Sequence, residues 1–194
     1  MSARIDAIVG LGNPGPDYAA TRHNAGCWLV DRLAALAGVR LREERKFHGR
    51  HARAFWQGCE FHLLQPDTFM NRSGRAVTAL LRFYQIPPSR LLLVHDELDL
   101  PPGVARFKQG GGHGGHNGLR DIIEQLGGDK SFYRLRLGIG HPGDSSRVVT
   151  YVLNPPTAAE REAIDQAMDD ALRALPDALN GNWATAMSRL HAPT

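Results

Sequence analysis

Little in this sequence would staple, anchor or export the chain. The two cysteines, Cys27 and Cys59, are too few for a disulfide framework. No apolar run approaches the ~20 residues that span a bilayer, so no transmembrane helix is expected. Met1 to Asp6 carries one arginine ahead of a strand-like Ile5–Val9, without the apolar core or small-residue cleavage site of a secretory signal. The expectation is a protein of the reducing cytoplasm. Also missing are a G-x-S-x-G elbow, an H-E-x-x-H pair and clustered cysteines, which leaves no signal for a serine nucleophile or a zinc centre. Cys27 and Cys59 lie in apolar contexts and Ser73 has no evident base nearby, so hydrolysis through a covalent intermediate is not expected. Neither an internal repeat nor a low-complexity linker divides the chain.

What is present is ordinary globular composition. Hydrophobic residues make up 42% and charged residues 22% of 194, enough for one well-buried domain and short for two. Strand-like runs fall at Ile5–Val9, Phe61–Leu64, Leu91–Val94, Tyr133–Ile139 and Val148–Leu153, with helical spacing between several of them. Ala25–Ala37 puts Trp28, Leu29, Leu33 and Leu36 on one helical face, and Arg75–Tyr84 does the same with Val77, Leu80, Leu81 and Tyr84. The alternation of Arg134 and Arg136 with Leu135 and Leu137 predicts a strand with one wetter face, hence a mixed sheet. The expected fold class is α/β: a single-domain three-layer α/β/α arrangement with a mixed, mostly parallel twisted sheet. Residues 158–194 are expected to be a helical tail that packs Ile164, Met168, Leu172 and Leu175 onto it.

The formal charge of +3 is unremarkable, but its distribution is uneven. Arg32, Arg40, Arg42, Arg45, Lys46, Arg50 and Arg53 form one basic run, and Arg106, Lys108, Arg134 and Arg136 form a second set. Acidic residues gather between Glu160 and Asp177. Such asymmetry would orient a polyanion on one side of the molecule.

Gly10-Leu11-Gly12-Asn13-Pro14-Gly15 follows a predicted strand with the G-x-G-x-x-G spacing of dinucleotide sites. Pro14, Gly15, Pro16 and Asp17 interrupt the chain where the phosphate-binding helix would have to begin, and Asp31 lies inside a helix rather than after a second strand. The glycines are better suited to turning the chain so that Asn13 projects from a strand end. His23 sits in the next loop. His95-Asp96-Glu97-Leu98-Asp99 closes another apolar strand, so a carboxylate there could hold a histidine ring in one tautomer and leave its second nitrogen as a base toward water. His95, Asp96, Glu97, Asp99, His113 and His116 would also make a generous metal ligand set, although the glycine-rich Gly110–Gly118 is a poor frame for coordination. Asn71 and Asn117 precede helices and could be caps. Together with Asn13 they also offer uncharged donors and acceptors suited to a peptide backbone or an oxyanion.

These motifs, with Tyr18–Gly26, Thr68-Phe69-Met70-Asn71 and His95–Gly103, resemble the bacterial peptidyl-tRNA hydrolase family, in the family's order, from about Ile5 to Pro155. The resemblance implies a metal-free, cofactor-free esterase that frees peptide from tRNA during translation, acting as a monomer on the acceptor and CCA end, with no stable protein partner and no membrane. It makes His23 the general base and Asp96 the group that keeps it basic, and lets Asn13 hold the water. Asn71 and Asn117 would bind the peptide and CCA end, and Tyr18, Phe69, Met70 and His116 would line the cleft. Lys108 and Arg136 fall at positions that clamp the tRNA 5′-phosphate, and Arg106 stands where the family often has lysine.

Overall fold

The computed structural model describes residues 3–191; Met1, Ser2 and residues 192–194 of the tail lie outside the described residues. Its centre is a seven-stranded sheet in the order β2-β3-β4-β1-β5-β7-β6. The strands are β1 (Ala7–Gly10), β2 (Arg42–Glu44), β3 (Gly49–Trp56), β4 (Cys59–Pro66), β5 (Leu91–Glu97), β6 (Ala105–Gln109) and β7 (Tyr133–Gly138). The helices are α1 (Ala25–Ala37), α2 (Ser73–Tyr84), α3 (Asn117–Gln125), α4 (Val148–Val152), α5 (Ala158–Leu179) and α6 (Trp183–His191). β4, β1, β5 and β7 run parallel, whereas β3 and β6 pair antiparallel with their neighbours. The fold is thus the expected mixed α/β sheet between helical layers.

The central strands are apolar on both faces because both faces are covered. Ile8, Leu63, Leu92, Val94 and Leu135 join α1 and α5 in one core. Ala7, Val9, Leu64, Leu91 and Leu93 join α2 and α3 in the other. α1 closes on Gly38 in the left-handed conformation, and α5 opens with a capping box between Thr157 and Glu160. Three acidic residues of α5 form ion pairs outside the tail: Asp165 and Asp169 hold Arg32 at 3.1 and 2.6 Å, and Glu160 holds Arg22 at 3.1 Å. They therefore fasten the tail to α1 and its loop.

Five expectations need correction. Val148–Leu153 is not a strand. It forms α4, which packs outside the sheet with Arg22 bonded to the carbonyls of Tyr151 and Asn154 at its end. Three strands have no counterpart in the apolar runs, because β2 and β6 are the edge strands, β3 lies next to the β2 edge, and all three carry charged residues on an outer face. Leu36, assigned to the buried face of α1, is 55% exposed. Arg134, assigned to a wet face, is buried; the antiparallel β6 makes the sheet mixed. The two basic sets also fall at opposite edges of the sheet, one on β2–β3 and one on β7–β6, so they do not form a single basic side.

Candidate active site

A cleft of about 610 Å³ opens beyond the carboxyl ends of β1 and β5, where open α/β sheets bind ligands. Asn13, Tyr18, His23, Phe69, Met70, Asn71, Asp96, His116 and Asn117 all line it. At its base is Asp96, the penultimate residue of a β5 that is buried almost to its end. Both Asp96 carboxylate oxygens lie 3.0 Å from His23 Nδ1, and Oδ1 is also 2.9 Å from His116 Nε2.

Backbone donors fix the ring protons. His116 caps α3: its Nδ1 accepts the amides of Gly118 and Leu119 at 3.1 and 3.2 Å. Those amides can only donate, so Nδ1 carries the lone pair and Nε2–H points to Asp96. His23 donates its own Nδ1–H to the same carboxylate. Its Nε2 then keeps a lone pair, and no hydrogen bond occupies that atom among the described residues. Burial pulls the His23 pKa down, but the charge and hydrogen bond of Asp96 outweigh it, leaving His23 more basic than a free imidazole. Burial also opposes the charge on Asp96. There the two histidines dominate and hold the carboxyl well below the usual carboxylate range.

Asn13 is fixed at both its backbone and its side chain. Asn24, buried at the start of α1, accepts the Asn13 amide at 2.8 Å and donates to its carbonyl at 2.9 Å. The Asn13 side-chain oxygen accepts the Met70 amide at 2.6 Å, which leaves Nδ2 as an uncommitted donor. The glycines of this loop serve packing. A Cβ on Gly10 would stand 2.4 Å from the Gly26 carbonyl oxygen, and one on Gly12 would stand 2.6 Å from Cys27 Sγ. They let β1 and its loop press against α1, which begins only at Ala25 and so does not follow the glycines directly as a dinucleotide turn requires.

Neither Asn71 nor Asn117 is a cap. Arg72 precedes α2, His116 caps α3, and both asparagines are exposed in the cleft. Phe69 is 57% exposed and meets Tyr18 edge to face at 6.2 Å, while Val149, 66% exposed, lines the cleft from α4. Ser73 gives its hydroxyl to the Met70 carbonyl at 2.7 Å and is fully buried. Burial, and then the charge of Asp31, push the Cys27 thiol up to about 12. Neither side chain is available as a nucleophile.

His23, Asp96 and His116 are also close enough to share a metal ion, their candidate ligand atoms all lying within 4.8 Å of one another. The donor set fits hydrogen bonding better. A ~2.0–2.1 Å bond to His116 Nε2 would displace the proton that its capping role places there. Metal on His23 Nδ1 would move the proton to Nε2 and remove the free lone pair there. Of the other suggested ligands, His95 is sealed beneath this site and His113 Nδ1 accepts the Gly115 amide at 2.9 Å.

Lys108, Arg106 and Arg136 do not line the cleft. They share one face of the β6–β7 ribbon with Arg134, in the directly opposed pairs Arg106–Arg136 and Lys108–Arg134. Arg136 Nε binds Glu97 at 2.7 Å, and Glu97 does line the cleft. Sequence reasoning offered Glu97 only as a metal ligand and missed Arg22, Asn24 and the apolar wall of α4. Arg22 and Asn24 flank His23, but their burial, the property that marks them as structural partners of the site, comes from contacts remote in sequence.

A buried histidine–carboxylate pair at the floor of a cleft, beyond the carboxyl ends of the parallel strands of a mixed sheet, is the arrangement of an α/β hydrolase. The family model described as peptidyl-tRNA hydrolase matches residues 7–194, and the chain belongs to that family. A relative of that name from Chromohalobacter salexigens is 60% identical over 97% of both chains. Another, from Azotobacter vinelandii, is 56% identical over 97% of both. The crystal structure of peptidyl-tRNA hydrolase from Acinetobacter baumannii superposes with a TM-score of 0.95 at 48% identity, over 99% of this chain and 97% of that one.

Proposed function

We propose that this protein hydrolyses the ester joining peptide to tRNA, with His23 as general base. Water in the cleft loses a proton to His23 Nε2 as its oxygen attacks the ester carbonyl carbon. Asp96 holds the resulting imidazolium, and Asn13 Nδ2 donates to the water or the developing oxyanion. The carbon–oxygen bond to ribose then breaks, and the leaving oxygen takes the proton back from His23, releasing a peptide acid and a tRNA hydroxyl. Asn71 and Asn117 bind the peptide backbone and the CCA end. No metal or cofactor enters this scheme.

The observation that carries the reading is the tautomer chain: the α3 amides fix His116, His116 and His23 together satisfy Asp96, and His23 Nε2 is left free. The phosphate role of Lys108, Arg106 and Arg136 is supported by cost. Like charges directly opposite across strands are destabilising, and two such pairs stand side by side here. A polyanion relieves that repulsion without reading sequence, as an enzyme accepting many tRNAs requires.

The test is turnover of peptidyl-tRNA by His23→Ala, with wild type assayed in parallel with and without chelator. The variant is expected to stay folded and lose about 10²–10⁴-fold in turnover, while wild type is indifferent to chelator. Near-normal turnover in the variant would end the mechanism, and loss of wild-type activity to chelator would move His23, Asp96 and His116 to a metal site.

A further inference from the structure

Arg134 is a cation with an unusual set of partners. It is 4% exposed, yet no carboxylate pairs with it among the described residues; its two terminal nitrogens donate to the carbonyls of Gly112 at 2.6 Å and Gly111 at 2.5 Å, and its buried Nε has no partner. A buried guanidinium whose hydrogen bonds go only to backbone oxygens, with the Phe132 ring 5.2 Å away as its other neighbour, is costly. What it holds is the glycine-rich loop beside the site. Gly110, Gly111, Gly114 and Gly115 all have positive φ, so the unfolded loop has much conformational freedom to lose. That loop leads directly into His116, whose ring binds Asp96.

The same side chain stands opposite Lys108 and two residues before Arg136, on the face proposed to meet phosphate. Lys108 also reaches the loop: its ammonium lies 2.9 Å from where a Cβ of Gly111 would be. Charge on this ribbon and order in the loop are therefore joined through one residue.

We infer that Arg134 is a positioning residue that passes occupancy of the phosphate site to the catalytic pair. With no anion present, repulsion from Lys108 and Arg136 works against the position of the Arg134 guanidinium. Phosphate on Lys108 and Arg136 removes that repulsion, tightens the grip of Arg134 on Gly111 and Gly112, and steadies His116 against Asp96. The tRNA body then speeds the chemical step as well as binding. This rests on the phosphate site proposed above.

The experiment compares a peptidyl acceptor hairpin bearing a 5′-phosphate with the same hairpin lacking it. Wild type should show the phosphate lowering KM and raising kcat by about 5-fold or more, a typical size for coupling between sites. In Arg134→Gln the effect on KM should persist while the gain in kcat disappears, and Arg134→Lys should recover part of it. An undiminished kcat gain in Arg134→Gln, or no kcat gain in wild type, overturns the coupling. If phosphate leaves both constants of wild type unchanged, the phosphate site itself is wrong. Should Arg134→Gln fail to fold, amide exchange of wild type decides: the 5′-phosphorylated hairpin should slow exchange across Gly111–His116 beyond the unphosphorylated one, and equal exchange overturns the proposal.

Discussion

At the residue scale, one carboxylate carries several functions at once. Asp96 accepts from two rings, raises the basicity of His23, and is itself ionised because those rings outweigh its burial. Asp96→Asn offers one acceptor for two donors, so one ring must face an amide N–H. Turnover of peptidyl-tRNA is expected to fall by about 10²–10⁴-fold. The acid limb of the pH profile should also move to lower pH, because without the carboxylate the burial of His23 acts unopposed and lowers its pKa. A limb that stays in place would show that Asp96 does not set the charge of His23. Asn24→Ala removes the partner of both backbone groups of Asn13. Two part-buried groups lose their bonds, at about 1–3 kcal/mol for each left unsatisfied. Urea denaturation should report that loss, and, with Asn13 acting on the water as proposed, kcat should fall more than KM rises. A variant with full kcat and only weaker binding would make Asn13 a substrate contact alone.

At the element scale, the site depends on how closely α1 approaches the sheet. Gly26 lies in the first turn of α1, and a Cβ there would be 2.2 Å from the Val94 carbonyl and 2.7 Å from the Leu11 amide. Both are backbone atoms, hydrogen-bonded to each other at 3.0 Å, and cannot swing aside. Gly26→Ala is therefore expected to cost about 1–3 kcal/mol by overpacking and to move the turn that carries His23. Thermal unfolding checks this, and a melting temperature equal to wild type refutes it. Elements were legible in the sequence where one force decided them. The apolar periodicity of Ala25–Ala37 and the run Leu91–Val94 had a single reading, and both appear where the pattern put them. Val148–Leu153 reads as a strand by its apolar run, but Val148–Val152 is helical and Arg22 satisfies the helix end. β3, Gly49–Trp56, was invisible because its pairing with β4 rather than its own hydrophobicity makes it a strand. The site divides in the same way. Residues that must point into the cleft, such as His23, Asn71 and His116, sit in recognisable loops. Those that hold them, Asn24 and Arg134, are known only through partners distant in the chain.

At the scale of the whole molecule, buried histidines link stability to pH. His95 donates Nδ1–H to the Asp96 carbonyl at 2.8 Å and is sealed in the core, where burial, and then the nearby His116, push its pKa down to about 3. His62, stacked on Tyr84 at 3.9 Å and bonded to His51 at 3.0 Å, is pushed down to about 4 by burial and then by the charge of His51. In the unfolded chain both return to an imidazole value near 6.5. Between those values the unfolded state binds protons that the fold refuses, so stability must fall as pH drops below about 6.5. The loss continues toward pH 4 for His62 and pH 3 for His95. At its limit, a fully excluded histidine such as His95 gives a slope of about 1.4 kcal/mol per pH unit. His23 has the opposite sign, since its raised pKa stabilises the fold below about 6.5 and that contribution is lost as pH rises through its folded value. It offsets one group of the set and leaves a net decline. Urea midpoints measured at pH 7.5, 6 and 5 should decrease in that order, and His95→Gln, which cannot titrate, should flatten the trend even if its midpoint at pH 7.5 is lower. Midpoints independent of pH across this range in wild type would mean that His95 takes up its proton within the fold, and that the core beneath Asp96 is open to water.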